Sequence, residues 1–363
     1  MNKLVANAIV TLSMAVSASA VLAQSQVTMY GIIDTGVEYV THANAAGNSV
    51  VKIPSLTGTL PSRIGFKGTE DLGDGLQALF VLESGFTPDT GTMGQGGRLF
   101  GRQAYVGLKN TYGTIMIGRQ VNMTYIASLK ADVMGPNIFS ISSLDSYLPN
   151  ARSDNAIGYL GTFAGVTLGA TYSLGRDASA AGGPAGTNCA GEIAGNAKAC
   201  RQMTALLAYD AASFGVASAY DILYGGPGAA GGLTSSNYHD QRVSLNGYFM
   251  LGLTKIGAGL VDRKIKDATD THSDLYYVGA SFPFASYWVL DAQVSRLKIM
   301  GTPKVSTLAV ARVTYNLSKR TALYTSLGHI ENAGSAAVAL DAGGTVGTGL
   351  NQVGVMTGIR HTF

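Results

Sequence analysis

The side chains that could carry out catalysis are scattered along the chain and form no known catalytic pattern. Asp210 and Asp221 fall in different apolar segments without a paired-acid motif. The glycine pairs at 225–226 and 231–232 lack the strand–loop–helix context of phosphate binding, and no nucleophile motif accompanies the serines. The histidines show no spacing typical of metal ligands: they are His42, His239, His272, His329 and His361. The sequence therefore predicts no catalytic residue, no metal site and no cofactor.

Cys189 and Cys200 are the two cysteines of the chain, and they lie in a segment rich in glycine, alanine and asparagine. In an exported protein such a pair usually forms a disulfide. The alternative is metal binding, but no cluster of histidines or further cysteines accompanies the pair. We therefore expect a Cys189–Cys200 disulfide, provided that the chain is exported.

The first residues have the order of a secretory signal peptide. Lys3 gives a basic start, residues 4–22 are almost uncharged and mostly apolar, and small residues precede Gln24. The alternative is a membrane-spanning helix, but the stretch is rich in alanine and serine and no stop-transfer charges follow it. We predict a signal peptide over 1–23 and one mature domain over 24–363.

The mature chain is apolar without containing a long apolar run. Of the 363 residues, 48 are glycine and 18 are tyrosine, and only 13% are charged, which is low for a soluble domain. Mean hydropathy is positive, yet after residue 23 no run approaches the roughly 20 apolar residues of a membrane helix. Alternation explains both facts if every second side chain faces lipid. The net charge of +3 is too small to suggest nucleic-acid binding.

Segments of about ten residues with period-two alternation recur along the chain, each bounded by turn residues. In the last one, Val355, Ile359 and Phe363 share the face expected to meet lipid, while Gly354 and Arg360 share the inward face. Inward faces are expected to be polar. We count sixteen such segments: 27–41, 61–70, 75–86, 100–110, 113–120, 153–162, 165–174, 204–211, 214–224, 240–250, 253–264, 273–283, 287–297, 305–316, 320–330 and 353–363.

Links after even-numbered segments are short, and most links after odd-numbered segments are long. This asymmetry is typical of an outer-membrane barrel. An open sheet edge in hydrocarbon would leave unpaired backbone groups at several kcal/mol each, so the sheet must close. Sixteen strands leave a lumen wide enough for water. We predict an all-β, 16-stranded antiparallel transmembrane β-barrel; the alternative is a soluble, exported β-sandwich such as an adhesin or lectin. The long links are 42–60, 87–99, 121–152, 175–203, 225–239 and 331–352.

Six motifs give the chain a family resemblance that covers the whole mature sequence. The chain resembles the general trimeric porins of Gram-negative bacteria, and most of all their β-proteobacterial branch. The longest and most specific motif is SRIGFKGTEDLGDGL at 62–76. The others are VTMYG at 27–31, RQAYVGL at 102–108, GRQ at 118–120, LSKRT at 317–321 and GIRHTF at 358–363.

The resemblance implies a homotrimer in the outer membrane whose third extracellular loop, 121–152, folds into the lumen and narrows it. It implies passive diffusion of ions and small hydrophilic solutes through a water-filled channel, and no enzymatic activity. It also implies contact with outer-membrane lipid and lipopolysaccharide, and an assembly signal at Phe363 for the outer-membrane insertion machinery. The alternatives are a barrel hydrolase and a substrate-specific channel, which a lumenal track of Tyr147, Tyr159 and Tyr248 would favour.

The resemblance also implies opposed charges where the pore is narrowest, and such charges set ion preference. The alternatives are ordinary salt bridges for the wall arginines and solvated charges for the loop acids. The basic side is expected to contain Arg63, Lys67, Arg102 and Arg152. The acidic side is expected to contain Asp132 and Asp145. Two further acids, expected to face the lumen and to oppose an anion preference, are Asp34 and Glu38.

Arg119 is not expected to line the pore, because it lies on the same strand face as Ile115 and Ile117. That parity directs its side chain away from the lumen. A charge facing bare lipid is costly unless it lies near the membrane surface. We therefore predict a role for Arg119 at a subunit interface or at the membrane surface.

Overall fold

The computed structural model describes residues 26–180 and 186–363, so the predicted signal peptide, 1–23, lies outside the described residues. No helix within those two ranges is long and apolar enough to cross a membrane. The helices are α1 Gly94–Gly97, α2 Met123–Ser128 and α3 Ile141–Leu144, with a 3-10 turn at Leu148–Asn150. The strands are β1 Gln26–Val40, β2 Val50–Lys52, β3 Arg63–Gly73, β4 Leu76–Gly85, β5 Gln103–Asn110, β6 Gly113–Val121, β7 Arg152–Phe163, β8 Val166–Ser173, β9 Gln202–Asp210, β10 Phe214–Tyr224, β11 His239–Leu251, β12 Thr254–Lys266, β13 Thr271–Ala285, β14 Trp288–Ile299, β15 Val305–Asn316, β16 Thr321–Ala333 and β17 Gln352–Thr362.

The seventeen strands form one sheet that closes on itself. One part of β1, Gln26–Ile32, pairs with β3, and the rest, Ile32–Val40, pairs with β17. The three residues of β2 pair only with the end of β1, so the other sixteen strands make up the wall. The prediction of a closed 16-stranded antiparallel barrel is confirmed, and β2 is the strand that the alternation pattern missed.

The outward faces of the wall strands are apolar, as the alternation predicted. On β17, Val353, Val355 and Ile359 are exposed, whereas Met356 on the opposite face is fully buried. The same alternation places Leu245 outward on β11. Closure of the sheet pairs the backbone groups of its strands, and the apolar outer surface presents hydrocarbon-like side chains to lipid.

The loops divide by length between the two ends of the barrel. At one end the turns between strands are as short as two residues, for example 111–112 between β5 and β6. At the other end most connections are long, although 267–270 and 300–304 are short. We name the connections used below by their order at this end: loop 1 is 41–62, loop 2 is 86–102, loop 3 is 122–151, loop 4 is 174–201 and loop 8 is 334–351.

The inner faces are less polar than expected, because one half of the barrel contains an apolar core. Loop 3 supplies residues such as Ile138 and Phe139, both fully buried. The wall supplies Leu308 from β15, Ile330 from β16 and Met356 from β17. Burial of each large side chain contributes about 1.5–3 kcal/mol. This apolar core holds loop 3 against β12–β17 and leaves the strands that carry the predicted arginines uncovered by it.

Candidate functional site

Loop 3 begins with a helix that packs on the inner wall. The Asn122 side chain caps α2 by accepting hydrogen bonds from the backbone amides of Thr124 and Tyr125. Such a cap stabilises a short helix by about 1 kcal/mol. Met123 and Ala127 on its buried side then pack in an apolar cluster with wall residues of β9 and β10. The cap and the cluster together fix the start of loop 3.

Tyr147 fixes the far end of loop 3. Its hydroxyl donates to the buried carboxylate of Asp221 at 2.6 Å and accepts from the Gln202 amide at 2.6 Å. The guanidinium groups of Arg176 and Arg242 lie 5.1 Å and 4.3 Å from the centre of its ring. A buried tyrosine with a satisfied hydroxyl and two cation–π contacts is held firmly, here by the wall and by Arg176 of loop 4.

Asp145 lies against the wall strand β11, where Arg242 donates to its carboxylate at 2.9 Å. Arg242 also binds Asp240 at 2.9 Å. Burial raises the pKa of Asp145, but the charges of Arg242 and Arg263 together with the hydrogen bonds to the carboxylate outweigh that effect, so the pKa lies below its ordinary value. Asp145 is therefore an ionised residue neutralised by its own partner, and its ion pair is with Arg242 rather than with Arg63 or Arg102.

Asp132 is the second predicted acid of loop 3, and it is partly buried beside Gln293 of β14. The backbone amides of Met134 and Gly135 also lie close to its carboxylate. Burial raises the pKa of Asp132 above its ordinary value. The surroundings of the two loop acids thus shift their pKa values in opposite directions, upward at Asp132 and downward at Asp145.

Replacing Asp132 by asparagine is expected to stabilise the folded barrel at neutral pH, and Asp145→Asn to destabilise it, each by about 1–2 kcal/mol. The raised pKa of Asp132 means that the folded protein binds this proton more tightly than the unfolded chain does. The resulting stabilisation of the fold is present at low pH and is lost as pH rises through the raised pKa. The lowered pKa of Asp145 stabilises the folded protein at pH values above the ordinary carboxyl pKa. This stabilisation is lost as pH falls through the lowered pKa. Thermal midpoints of both variants at about pH 5 and about pH 8 check this. Shifts of the same sign in both variants would contradict it.

On the opposite wall, Arg63 and Arg102 flank one acid, Glu83 of β4. The distances from the arginine Nε atoms to the Glu83 carboxylate are 3.6 Å and 2.6 Å, and Tyr30 donates to the same carboxylate at 2.9 Å. Sequence reasoning missed Glu83, although it is the single charged residue in the predicted strand 75–86. Both wall arginines are thus in salt bridges, yet two positive charges share one negative charge.

Two further cations join this group on the same side. Arg152, which is 2% exposed, hydrogen-bonds Asn150 at 3.3 Å and interacts electrostatically with Arg102. The ammonium group of Lys67 lies 5.5 Å from the centre of the Tyr30 ring. We call the five charged residues the basic cluster: Arg63, Lys67, Glu83, Arg102 and Arg152.

The acids predicted to face the lumen from β1 are inward but fully buried. Asp34 accepts hydrogen bonds from the Leu60 amide at 3.1 Å and the Tyr324 hydroxyl at 2.7 Å. The carboxylate of Glu38 lies 3.4 Å from the ammonium group of Lys52. Both acids fasten loop 1 to the wall and present no free charge to a solute.

Arg119 has partners within its own chain. It forms an ion pair with Asp154, and Arg98 of loop 2 binds the same acid at 3.3 Å. Arg98 also pairs with Asp177 of loop 4. This network connects two loops at the long-loop end of the barrel. A role for Arg119 at a subunit interface stays a prediction.

Loop 4 is closed by the predicted disulfide, since Cys189 and Cys200 are bonded in the structure. Both sulfurs lie in a small buried cluster with Leu223 and Leu233. The bond joins two points of one loop and links no wall strands. The disulfide prediction is confirmed.

Replacing both cysteines by serine is expected to loosen loop 4 without changing the channel. The disulfide closes a loop of 11 residues, which contributes at most about 3 kcal/mol through the entropy of the unfolded segment. Limited trypsin digestion should cleave the variant faster at Lys198 or Arg201, while its single-channel conductance stays that of the wild type. Wild-type protein treated with reductant is the control and should behave alike. A changed conductance would show that loop 4 shapes the passage.

Phe363 completes the wall next to β1. Its backbone exchanges two hydrogen bonds with Gly31, both at 3.1 Å. Its ring covers Gly31 so closely that a Cβ atom there would lie 2.2 Å from the ring. Glycine at position 31 is therefore required for this contact. The assembly-signal role of Phe363 stays a prediction.

A cavity of about 310 Å³ lies among loops 1, 2, 3 and 8. Arg102, at the end of loop 2, is the member of the basic cluster that lines it, and polar side chains line it from loop 3. The loop 3 residues are Asn137, Ser142, Ser146 and Asn150. A closed wall with an apolar outer surface and a charged polar cavity inside defines a transmembrane β-barrel channel.

Comparison with known proteins places this channel in a family. The model of the Gram-negative porin family matches residues 9–335. Outer membrane porin protein 32 of Delftia acidovorans is 28% identical, over 98% of this chain and 99% of its own. An outer membrane porin protein of Bordetella pertussis is 31% identical, over 95% and 96%. The solved structure of an anion-selective porin from Comamonas acidovorans superposes with a TM-score of 0.77 at 26% identity, covering 94% of this chain and 100% of that one.

The chain belongs to the Gram-negative porin family. It is a multi-strand protein of the outer membrane that forms a channel for passive diffusion. The family is one of channels rather than enzymes.

Proposed function

We propose that this porin prefers small anions and that solutes pass between loop 3 and the basic cluster. The observation that carries the proposal is the imbalance of charge at the passage. The basic cluster contains four cations and one acid, Glu83, which is paired with Arg63 and Arg102. The loop acid Asp145 is neutralised by Arg242, Glu38 is paired with Lys52, and Asp34 accepts hydrogen bonds from loop 1 and Tyr324.

Distance limits which charges matter to a passing ion. Charges separated by more than about 8 Å are largely screened at physiological salt. A unit charge about 7 Å away in water changes the energy of an ion by about 0.6 kcal/mol, close to the thermal energy. A net excess of positive charge beside the passage therefore attracts chloride, phosphate or carboxylate solutes and repels potassium.

Three further assignments belong to the proposal. The channel works as a homotrimer, as the family resemblance implies, and its assembly uses the outer-membrane insertion machinery. It contacts outer-membrane lipid and lipopolysaccharide. The selectivity named for the Comamonas acidovorans porin supports the anion preference of this similar chain.

The arrangement of tyrosines gives no support to a substrate-specific channel. Tyr147 is buried as the anchor of loop 3. Tyr159 shares the outward face of β7 with Ile157, and Tyr248 binds Asp210 at 2.9 Å near the short-turn end. The three side chains do not form a track, so general diffusion with an anion preference is the function the geometry supports best.

Replacing Glu83 by glutamine is expected to raise the chloride-to-potassium permeability ratio about threefold, because one negative charge leaves the passage. The measurement is the reversal potential of purified channels in a bilayer across a potassium chloride gradient. The matched control is Glu70→Gln, an exposed acid of the same sheet near the short-turn end. A wild type that favours potassium, or a Glu83 variant equal to Glu70→Gln, would overturn the proposed preference.

A further inference from the structure

A second cavity inside the barrel, of about 200 Å³, lies between loop 3, loop 4 and the wall strands β10–β12. We call it the loop 4 cavity. It is smaller than the roughly 300–1,000 Å³ typical of sites for drug-sized molecules, so a ligand that fits it is small. Its apolar lining includes Leu223 of β10, Ile265 of β12 and Leu233 of the connection 225–238. Its charged lining consists of Asp145, Arg176, Asp240, Arg242 and Arg263.

Two of the three arginines in this cavity are neutralised by its two acids. The carboxylate of Asp145 accepts hydrogen bonds from Nε and Nη2 of Arg242 at 2.9 Å and 3.3 Å. The carboxylate of Asp240 accepts from Nε and Nη2 of Arg263 at 3.0 Å and 2.8 Å, and from Arg242 at 2.9 Å. These four residues have no net charge together, so the charge of Arg176 is a surplus.

Arg176 is buried, with 1% of its surface exposed, and its guanidinium has few partners. Its Nη1 atom donates to Asp177 at 3.4 Å, which is longer than the roughly 2.7–3.2 Å of a typical N–H···O hydrogen bond. Asp177 forms a closer ion pair with Arg98 of loop 2. The Nε atom of Arg176 is buried and has no hydrogen-bond partner among the residues that the structure describes. The positive charge of Arg176 is therefore only weakly compensated.

Thr187 brings a second unused polar group to the loop 4 cavity. Its hydroxyl oxygen is buried and has no hydrogen-bond partner within 26–180 and 186–363. A buried guanidinium and a buried hydroxyl both become more favourable when they gain a hydrogen-bond partner. A carboxylate offers acceptor oxygens to both groups and also neutralises the surplus charge.

The lining of the cavity indicates what the rest of such a ligand must be. One surplus positive charge matches one negative charge. Leu223, Leu233 and Ile265 offer apolar contact and no hydrogen bond from their side chains. A short hydrocarbon chain gains from contact with these side chains, whereas inorganic phosphate has no apolar part to place there.

The loop 4 cavity adjoins the passage proposed for anions. The Arg263 side chain is 31% exposed, so water reaches the cavity beside it. Ser146 of loop 3 lines this cavity and also the cavity of about 310 Å³ that Arg102 lines. A solute held in the loop 4 cavity therefore lies next to the passage.

We propose that the loop 4 cavity binds one small monocarboxylate with a short apolar chain and holds it at the long-loop end of the lumen. The carboxylate is bound by Arg176 and the Thr187 hydroxyl, and the chain packs against Leu223 and Leu233. The cavity shares no residue with the basic cluster, so this binding does not depend on the proposed anion preference. Sequence reasoning missed Arg176, because its surplus charge depends on pairings among three loops and the wall.

The test measures the affinity of the folded mature protein in detergent for butyrate, by saturation-transfer NMR titration. Arg176→Ala is expected to bind butyrate about tenfold more weakly than the wild type, because the ligand loses its charged partner. Thr187→Val keeps the shape of the side chain and removes the hydroxyl, so it is expected to bind about threefold more weakly. The matched control, Lys198→Ala, removes an exposed cation of the same loop that does not line the cavity, and should bind as the wild type does.

Butyramide, which has the same chain without the charge, should bind at least about tenfold more weakly than butyrate. Heat-modifiable gel migration shows that each variant is folded, and Thr187→Val decides the outcome if Arg176→Ala misfolds. Failure of the wild type to bind butyrate would overturn the proposal, as would equal affinities in the wild type and both cavity variants, or equal affinities for butyrate and butyramide. Loss of binding in Arg63→Ala with Arg102→Ala but not in Arg176→Ala would assign butyrate to the basic cluster. That result would overturn this site and leave the proposed anion preference intact.

Discussion

Replacing Arg63 and Arg102 together by alanine is expected to lower the chloride-to-potassium permeability ratio about tenfold. The substitution leaves Glu83 without either of its ion-pair partners. The group formed by these three residues then changes from a net positive to a net negative charge. Arg152, which interacts electrostatically with Glu83, remains.

The reversal potential across a potassium chloride gradient measures this change. Lys319→Ala with Arg320→Ala is the matched control, because it removes two exposed cations far from the passage. Adding Glu83→Gln to the arginine pair should return the ratio part of the way, since the unpaired acid is then removed. An unchanged potential in the arginine variant would show that both residues act only as wall salt bridges.

Replacing Arg242 by alanine is expected to release the end of loop 3, with a loss of about 3–5 kcal/mol because a buried carboxylate loses its cation. Asp145 would have no direct ion pair, and the Tyr147 ring would lose one of its two cation contacts. Asp145→Ala should be milder, because Arg242 keeps its ion pair with Asp240.

The expected readouts are a larger and noisier single-channel conductance and a lower temperature for the heat-modifiable gel shift. Arg263→Ala is the matched control: Arg263 binds the same acid, Asp240, at 2.8 Å from the neighbouring strand but makes no ion pair with loop 3. A quiet, wild-type conductance in Arg242→Ala would mean that the apolar core alone holds the loop.

The wall of the barrel was predictable because each strand carries its own signal. Alternation along β17 needs only the residues of β17, and closure follows from the physics of a sheet edge in lipid. The strand β2 was missed because three residues, Val50–Lys52, are too few to show a period.

The positions of the charged partners were less predictable, because they depend on contacts between distant segments. Asp145 and Arg242 are 97 residues apart, and nothing near either one indicates the other. Motif resemblance gave Arg63 and Arg102 but omitted Glu83, which lies outside the motifs. The acids of β1 had the predicted inward direction, while their burial under loop 1 required the folded structure.

The apolar core inside one half of the barrel has a consequence for how such channels diverge. Substitutions at Phe139 or Ile330 must be matched by their packing neighbours, as in the interior of any compact protein. Arg102, by contrast, lines the cavity beside loop 3, so a change of charge there meets open space on one side rather than packed side chains. Natural variation can therefore retune ion preference through single substitutions on one side while the inserted loop is inherited almost unchanged on the other.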